Sequence, residues 1–436
     1  MRSSRTILIG LVVPALVVGA CTAGRPANGP ADNAGWVAAP DAAPSAVPPA
    51  SPDAWLVVGH KGAAGLEVIL ASTREKILEL PTGVPNAEWG QLITAEVQGD
   101  KTVVRDLVVQ PGFGGDSTTI AGAWRLPTIG PDPVPVGVSG DGNTIVLVST
   151  TKGAPTSRFA VLRRGLAKPA SFIDLPGGFD YDAISPDGSM LYLVQHLDAV
   201  AGGKYQVRSV VTVTGELTEG IIADKTNLEE QMAGYPLAQV RRSDGLVLTL
   251  YEGVDFAFIH ALNTIEGWAV CIDLPASGRD DARAAADWGL GPSPDGRSVY
   301  AVNATLGLVG DVDPALLGLR RSVSVKPLAG SGVVLAKFGH QESGPSGRRV
   351  VVGPDGRTIY AAGVGGIMAL DSSTLKVTAT LAEGKSVDAL AVTPDGGTLY
   401  ALLRDGHIAR IDAATGALLG TVPGDGYDRL VAVVPW

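Results

Sequence analysis

The sequence predicts an all-β chain folded as a single β-propeller of four-stranded blades. Three observations predict it. A Pro-Asp-Gly hairpin recurs along most of the chain, each recurrence is accompanied by four short apolar runs, and the two ends of the repeating region complement one another.

The hairpin comes first. Four segments are nearly identical: Ser185-Pro-Asp-Gly-Ser-Met-Leu-Tyr192, Ser293-Pro-Asp-Gly-Arg-Ser-Val-Tyr300, Gly353-Pro-Asp-Gly-Arg-Thr-Ile-Tyr360 and Thr393-Pro-Asp-Gly-Gly-Thr-Leu-Tyr400. Two degenerate copies centre on Asp141 and Asp244. The shared aspartates, Asp141, Asp187, Asp244, Asp295, Asp355 and Asp395, are 46, 57, 51, 60 and 40 residues apart. Proline fixes φ, aspartate bonds its own backbone ahead, and glycine supplies positive φ, so each segment reads as a tight turn between two strands.

The strands come next. Residues 387–422 hold the clearest unit, with apolar runs Ala389-Leu-Ala-Val-Thr, Leu399-Tyr-Ala-Leu-Leu, His407-Ile-Ala-Arg-Ile and Leu418-Leu-Gly-Thr-Val. Four short antiparallel strands in about 40 residues make one blade. Glycine and β-branched residues dominate the repeats, which excludes a solenoid of paired helices. At the end of the chain, Leu430-Val-Ala-Val-Val-Pro-Trp436 reads as a first strand that stops where a hairpin is due. Residues 54–59, 66–70 and 76–80 read as the three strands it lacks, so one blade built from both ends would close the ring and remove its exposed edge. A further unit at residues 89–126 has weaker turn chemistry. Counting it gives eight blades, the number favoured here; omitting it gives seven.

Composition agrees with this plan. Gly 57 and Pro 30 suit short strands and tight turns, 45% hydrophobic residues supply a large core, and charged residues make up only 18%. The formal net charge is −10, and removing residues 1–20, which carry Arg2 and Arg5 and no acid, leaves −12. A nucleic-acid partner is not expected, because phosphate binding needs a basic face.

The first 53 residues stand apart from the repeats. Arg2 and Arg5 precede an apolar run over residues 6–18, and Val18-Gly19-Ala20 lead into Cys21. This is the three-part pattern of a secretory signal, too short for a comfortable membrane span. The Val-Gly-Ala-Cys junction resembles a lipobox, which implies cleavage before Cys21, lipidation of its sulfur and anchoring to the outer face of the bacterial cell membrane, or to the periplasmic side if an outer membrane exists. The other reading is an ordinary signal with a chance cysteine. Arg2 and Arg5 are not adjacent, so a twin-arginine route is not indicated. Residues 22–53 contain seven prolines and ten alanines and read as an extended tether, at ~3 Å per residue on the order of 100 Å long. The second cysteine, Cys271, lies in an apolar strand-like run and reads as a buried, inert thiol.

The hairpins, together with Leu370-Asp-Ser-Ser-Thr-Leu-Lys and Ile411-Asp-Ala-Ala-Thr-Gly, resemble YVTN-type propellers, related to the YncE and quinoprotein amine dehydrogenase-like groups. The resemblance covers residues 54–436 and implies a propeller fold. It implies no one activity, since such propellers range from binding proteins to enzymes and the shared motifs are structural turns.

No nucleophile-elbow, zinc-protease, P-loop or complete calcium-loop motif occurs. Two constellations are candidates. Asp180, Asp287, Asp388 and Asp428 each fall seven or eight residues before a hairpin aspartate or its equivalent, where the innermost strand of a blade begins, and Tyr181, Tyr235, Trp288 and Tyr427 are close by. Together they would make an acidic, aromatic-edged channel mouth able to hold a divalent cation or a basic segment; alternatively aspartate simply favours strand-entry turns. Arg241, Arg242, Tyr251, Asp255 and His260 form a second group that could bind an anion, the alternative being a satisfied strand histidine near solvated charges. These features favour a membrane-anchored, non-catalytic binding or scaffold protein that takes a protein or small-molecule ligand on a propeller face. The competing expectation is a propeller enzyme, a lactonase-like hydrolase or a quinone- or metal-dependent oxidoreductase.

Overall fold

Each Pro-Asp-Gly segment folds as the tight turn that its residues dictate. In the copy at Asp187, Ser185 Oγ donates to Asp187 Oδ1 at 2.7 Å, the same oxygen accepts from Ser189 N at 3.0 Å, and Met190 N donates back to Ser185 Oγ at 2.9 Å. Gly188 takes φ +70°, a conformation that only glycine adopts freely. The same bonds recur at Ser293 with Asp295 and at Thr393 with Asp395. At Asp355 only the backbone bond from Arg357 remains, because Gly353 has no hydroxyl.

The tyrosine that ends the motif ties neighbouring sheets together. Tyr192 donates to Thr264 O at 3.0 Å, and Tyr360 donates to Ala413 O at 3.0 Å, each bond reaching the following blade. Both rings are buried, so one residue fills the space between two sheets and satisfies its hydroxyl there.

This computed structural model describes residues 53–109, 114–130, 134–151, 155–198, 203–222, 232–253, 256–275, 287–328 and 347–434, all within one compact unit, Ser51–Trp436. Cys21, residues 22–52 of the tether, Asp255 and Trp436 lie outside the described residues. The described residues form eight antiparallel sheets, as expected of an eight-bladed propeller. Blade 1 takes Trp55–His60, Leu66–Leu70 and Lys76–Leu80, and its innermost strand is Tyr427–Val434. The closure predicted from sequence is therefore present: Trp55 pairs with Val434, Leu56 with Val433 and Val57 with Ala432. Arg429 fastens this seam, donating to the carbonyls of His60, Ala63 and Gly65 at 3.2, 2.6 and 3.2 Å. Its guanidinium lies where a Cβ on Gly59 would stand, so a side chain at position 59 would push Arg429 aside.

The doubtful unit is a genuine blade. Blade 2 runs through Gly83–Pro85, Gln91–Gln98, Lys101–Val108 and Gly114–Ala121, with Trp89 in its first turn. Trp124 belongs to blade 3, whose inner edge is shared by Trp124–Arg125 and a bridge at Val138. Blades 4 to 8 have inner strands Phe179–Ile184, Tyr235–Arg241, Gly289–Pro292, Val350–Val352 and Val387–Val392. Blade 4 carries an additional short strand, Met232–Ala233, paired to Lys204 and Tyr205.

The core is divided among the blades. Buried apolar residues fall into eight clusters, each drawn mainly from two adjacent sheets, such as Leu248, Ile259 and Ala261 with Trp288, Leu290 and Val299 between blades 5 and 6. Alternation along each strand sends every second side chain to the opposite face, so each sheet feeds two of these wedges.

Candidate functional site

The inner strands surround an axial cavity of about 750 Å³. Its wall is built from small β-branched and aliphatic side chains, among them Val84, Val136, Val350, Leu390, Val431 and Val433, contributed by blades 2, 3, 7, 8 and 1. It reaches the hairpin ends of the inner strands at Ser139, Gly140, Arg241, Pro292 and Val392. Among the described residues its charged lining consists of Asp106, Arg164, Arg241 and Arg348. Asp106 and Arg164 cancel: Arg164 Nε donates to Asp106 Oδ2 at 2.8 Å, and the same guanidinium meets Gln91, bonding blade 3 to blade 2.

Arg241 is held differently. Its Nε donates to Gln239 Oε1 at 2.8 Å, and its Nη2 donates to Tyr181 Oη at 3.1 Å, with the guanidinium carbon 5.7 Å from the Tyr181 ring centre. Neutral groups orient it, so its charge is not spent on a salt bridge. Behind it lies Asp182, 1% exposed, at a bulge in the pairing of blade 4. Burial pushes the Asp182 carboxyl up to about 7, against the pull of Arg241. Its Oδ2 accepts no hydrogen bond from a described residue.

The four strand-entry aspartates do not line this cavity. They lie at the opposite ends of the inner strands, and each has a cationic or basic partner. Asp180 meets His196 Nε2 at 2.8 Å, and this carboxylate raises the imidazole pKa. Asp428 meets Arg429 Nε at 3.0 Å, orienting the arginine that seals the ring. Asp287 accepts from Thr305 at 2.6 Å and lies 3.2 Å from Arg349, while Asp388 lies 2.8 Å from Arg404 and 4.0 Å from that same Arg349. The expected bare acidic mouth is thus corrected to a chain of alternating charges across blades 6, 7 and 8. No group of three or more potential metal ligands occurs among the described residues, and the carboxylates that were to hold a cation are already compensated.

The aromatic rim is corrected as well. Tyr181, Trp288 and Tyr427 are 5%, 3% and 2% exposed and pack between blades; Tyr427 donates to Pro423 O at 2.9 Å. A residue beside a channel-facing aspartate points to the other face of its strand, which buries it. Tyr235 is half-buried at the start of the blade 5 inner strand.

The second constellation does not come together. Arg242 is spent on Asp244 at 2.7 Å and on the carbonyl of Gly296. Tyr251 and His260 are buried inside the blade 4–blade 5 layer, where Tyr251 stacks on Tyr205 and Phe258 and meets the His260 ring edge-on at 6.4 Å. His260 sits opposite Cys271, which is half-buried with Sγ 3.8 Å from Met232 Sδ. Of the described residues of this group, only Arg241 reaches the cavity. Arg348 and Arg349 were missed by sequence reasoning. The available signal was their position, just before the blade 7 inner strand, where four sister blades carry aspartate.

No known family matches the chain by sequence, and no similar sequence is found among curated proteins. Solved structures share the architecture. The dihydro-heme d1 dehydrogenase NirN, in complex with DHE, superposes with a TM-score of 0.51 at 14% identity, covering 86% of this chain and 74% of its own. Apo AztD from Citrobacter koseri gives 0.50 at 12% identity over 87% and 98%, and a second crystal structure of that protein gives 0.51 at 12% over 87% and 97%. At these identities the likeness is one of fold.

Proposed function

We propose that this chain is an exported, lipid-anchored propeller of YVTN-like type that binds a small-molecule ligand in its axial cavity without reacting it. The observation that carries this reading is the cavity. Its volume lies in the range of small-molecule sites, roughly 300–1,000 Å³, and it combines apolar walls with a few fixed polar groups. Among the described residues its one lining carboxylate, Asp106, is locked to Arg164 and is therefore poorly placed to act as a general base. The lipobox-like junction at Cys21 and the proline-rich segment after it support attachment to a membrane through a long tether.

Two experiments test the reading. Full chain purified from its native membranes is denatured and the released small molecules are identified by mass spectrometry. A ligand is expected in the wild type and not in Val433→Trp, whose indole would fill the cavity. Equal recovery from both, or none from either, sinks the reading. For the anchor, Cys21→Ser is expected to release the chain from membranes or to leave its precursor uncleaved; normal processing with unchanged retention overturns it.

A further inference from the structure

The cavity is lined by two arginines whose charge no carboxylate of the described residues neutralises through an ion pair, Arg241 from blade 5 and Arg348 from blade 7. Both line the cavity, and the guanidinium of Arg241 is held in place. Arg241 is oriented by Gln239 and Tyr181. Arg348 is pinned through its backbone: its carbonyl accepts from Leu390 N at 2.7 Å, and the preceding Gly347 bridges to Leu430, so closely that a Cβ at position 347 would meet the Leu430 carbonyl. The chain as a whole carries −10, so a cationic lumen is not a by-product of composition.

Resting on the cavity reading above, we infer that the ligand is an amphipathic organic carboxylate, an apolar body with a carboxylate that docks on Arg241. The valine-rich wall removes apolar surface from water, which rewards a hydrocarbon or aromatic body. A guanidinium offers a planar fork that matches a carboxylate with two parallel hydrogen bonds. Neutral cradling matters here, because a guanidinium already paired to an aspartate, as Arg164 is, has little to give a ligand. Asp182 contributes from behind Arg241: kept protonated by its burial, it leaves the arginine's field undiminished at mildly acidic pH.

The test uses the full chain, titrated by calorimetry with 2-naphthoate, its uncharged isostere 2-naphthamide, and 2-naphthyl phosphate. Naphthoate is expected to bind about ten-fold or more tightly than naphthamide, the worth of a charge-assisted hydrogen bond. Arg241→Met, which keeps an apolar stem, should erase most of that preference, and Arg241→Lys should retain part of it. Unchanged melting temperatures in the variants show that the ring is intact. If naphthoate and naphthamide bind equally, the carboxylate class fails while the cavity reading stands. If the phosphate binds tightest, the class is wrong in the other direction. If none of the three binds at millimolar concentration, both readings fall.

Discussion

At the scale of the residue, the informative group is Asp182, a carboxylic acid placed where ionisation is unfavourable. Its pKa is raised from 3.8 to about 7 by burial, with Arg241 opposing the shift. Between those values the unfolded chain has released this proton while the folded chain keeps it. Stability from this group is full below pH 4 and is lost as pH rises to about 7, at up to about 1.4 kcal/mol per pH unit. Asp182→Asn cannot ionise and should escape the loss. In urea titrations the variant is expected to gain on the wild type by a few kcal/mol between pH 5 and pH 8; a difference that stays constant across that range shows that Asp182 does not titrate as burial demands.

At the scale of the element, the hairpin explains why one motif is repeated while its neighbours vary. Asp187 is held down to about 2 by the Ser185 hydroxyl and by the backbone and hydroxyl of Ser189. Asp187→Ala should cost about 1 kcal/mol at pH 7, the usual net worth of a hydrogen bond. That cost should shrink as pH falls from 4 toward 2, because the carboxylate of the wild type then takes up its proton and the stability it supplies is lost. Urea denaturation at pH 7 and pH 2.5 checks it; an equal cost at both would mean that the carboxylate is not what holds the turn. Such turns were legible in the sequence because their chemistry is complete within eight residues. The blade count and the closing strand were legible for the same reason, through spacing. The cavity was not. Arg241 and Arg348 come from blades 5 and 7, and nothing local to either shows that they line one cavity. Nor does a period of recurrence say what stands opposite: Asp287 and Asp388 recur as an acidic pattern, yet Arg349 from the blade between them meets both.

At the scale of the whole molecule, a ring of like sheets is only as stable as its seam. Removing the chain from Tyr427 onward would strip hydrogen-bond partners from Trp55–His60 and empty a core that holds Leu430 at 0% and Tyr427 at 2% exposure. The truncated chain should lose more than about 4 kcal/mol, beyond the usual range of a single substitution, and should unfold over a broader temperature span. Calorimetry measures both. A sharp transition at the original temperature would show that the other seven blades stand without the seam.

The seam also sets a clock on biosynthesis. His60 and the Arg429 that clasps it are 369 residues apart in the chain. At ~5–20 residues per second, a ribosome that has made the first three strands of blade 1 needs roughly 20–70 seconds more to deliver their partner. Throughout that interval the nascent chain presents Trp55–His60 as an open template for any extended peptide nearby, itself included. The closing strand acts as a completion signal, since only a chain that carries residues 427–434 can withdraw that template. Chains interrupted in synthesis keep an adhesive edge that chaperones and proteases can recognise.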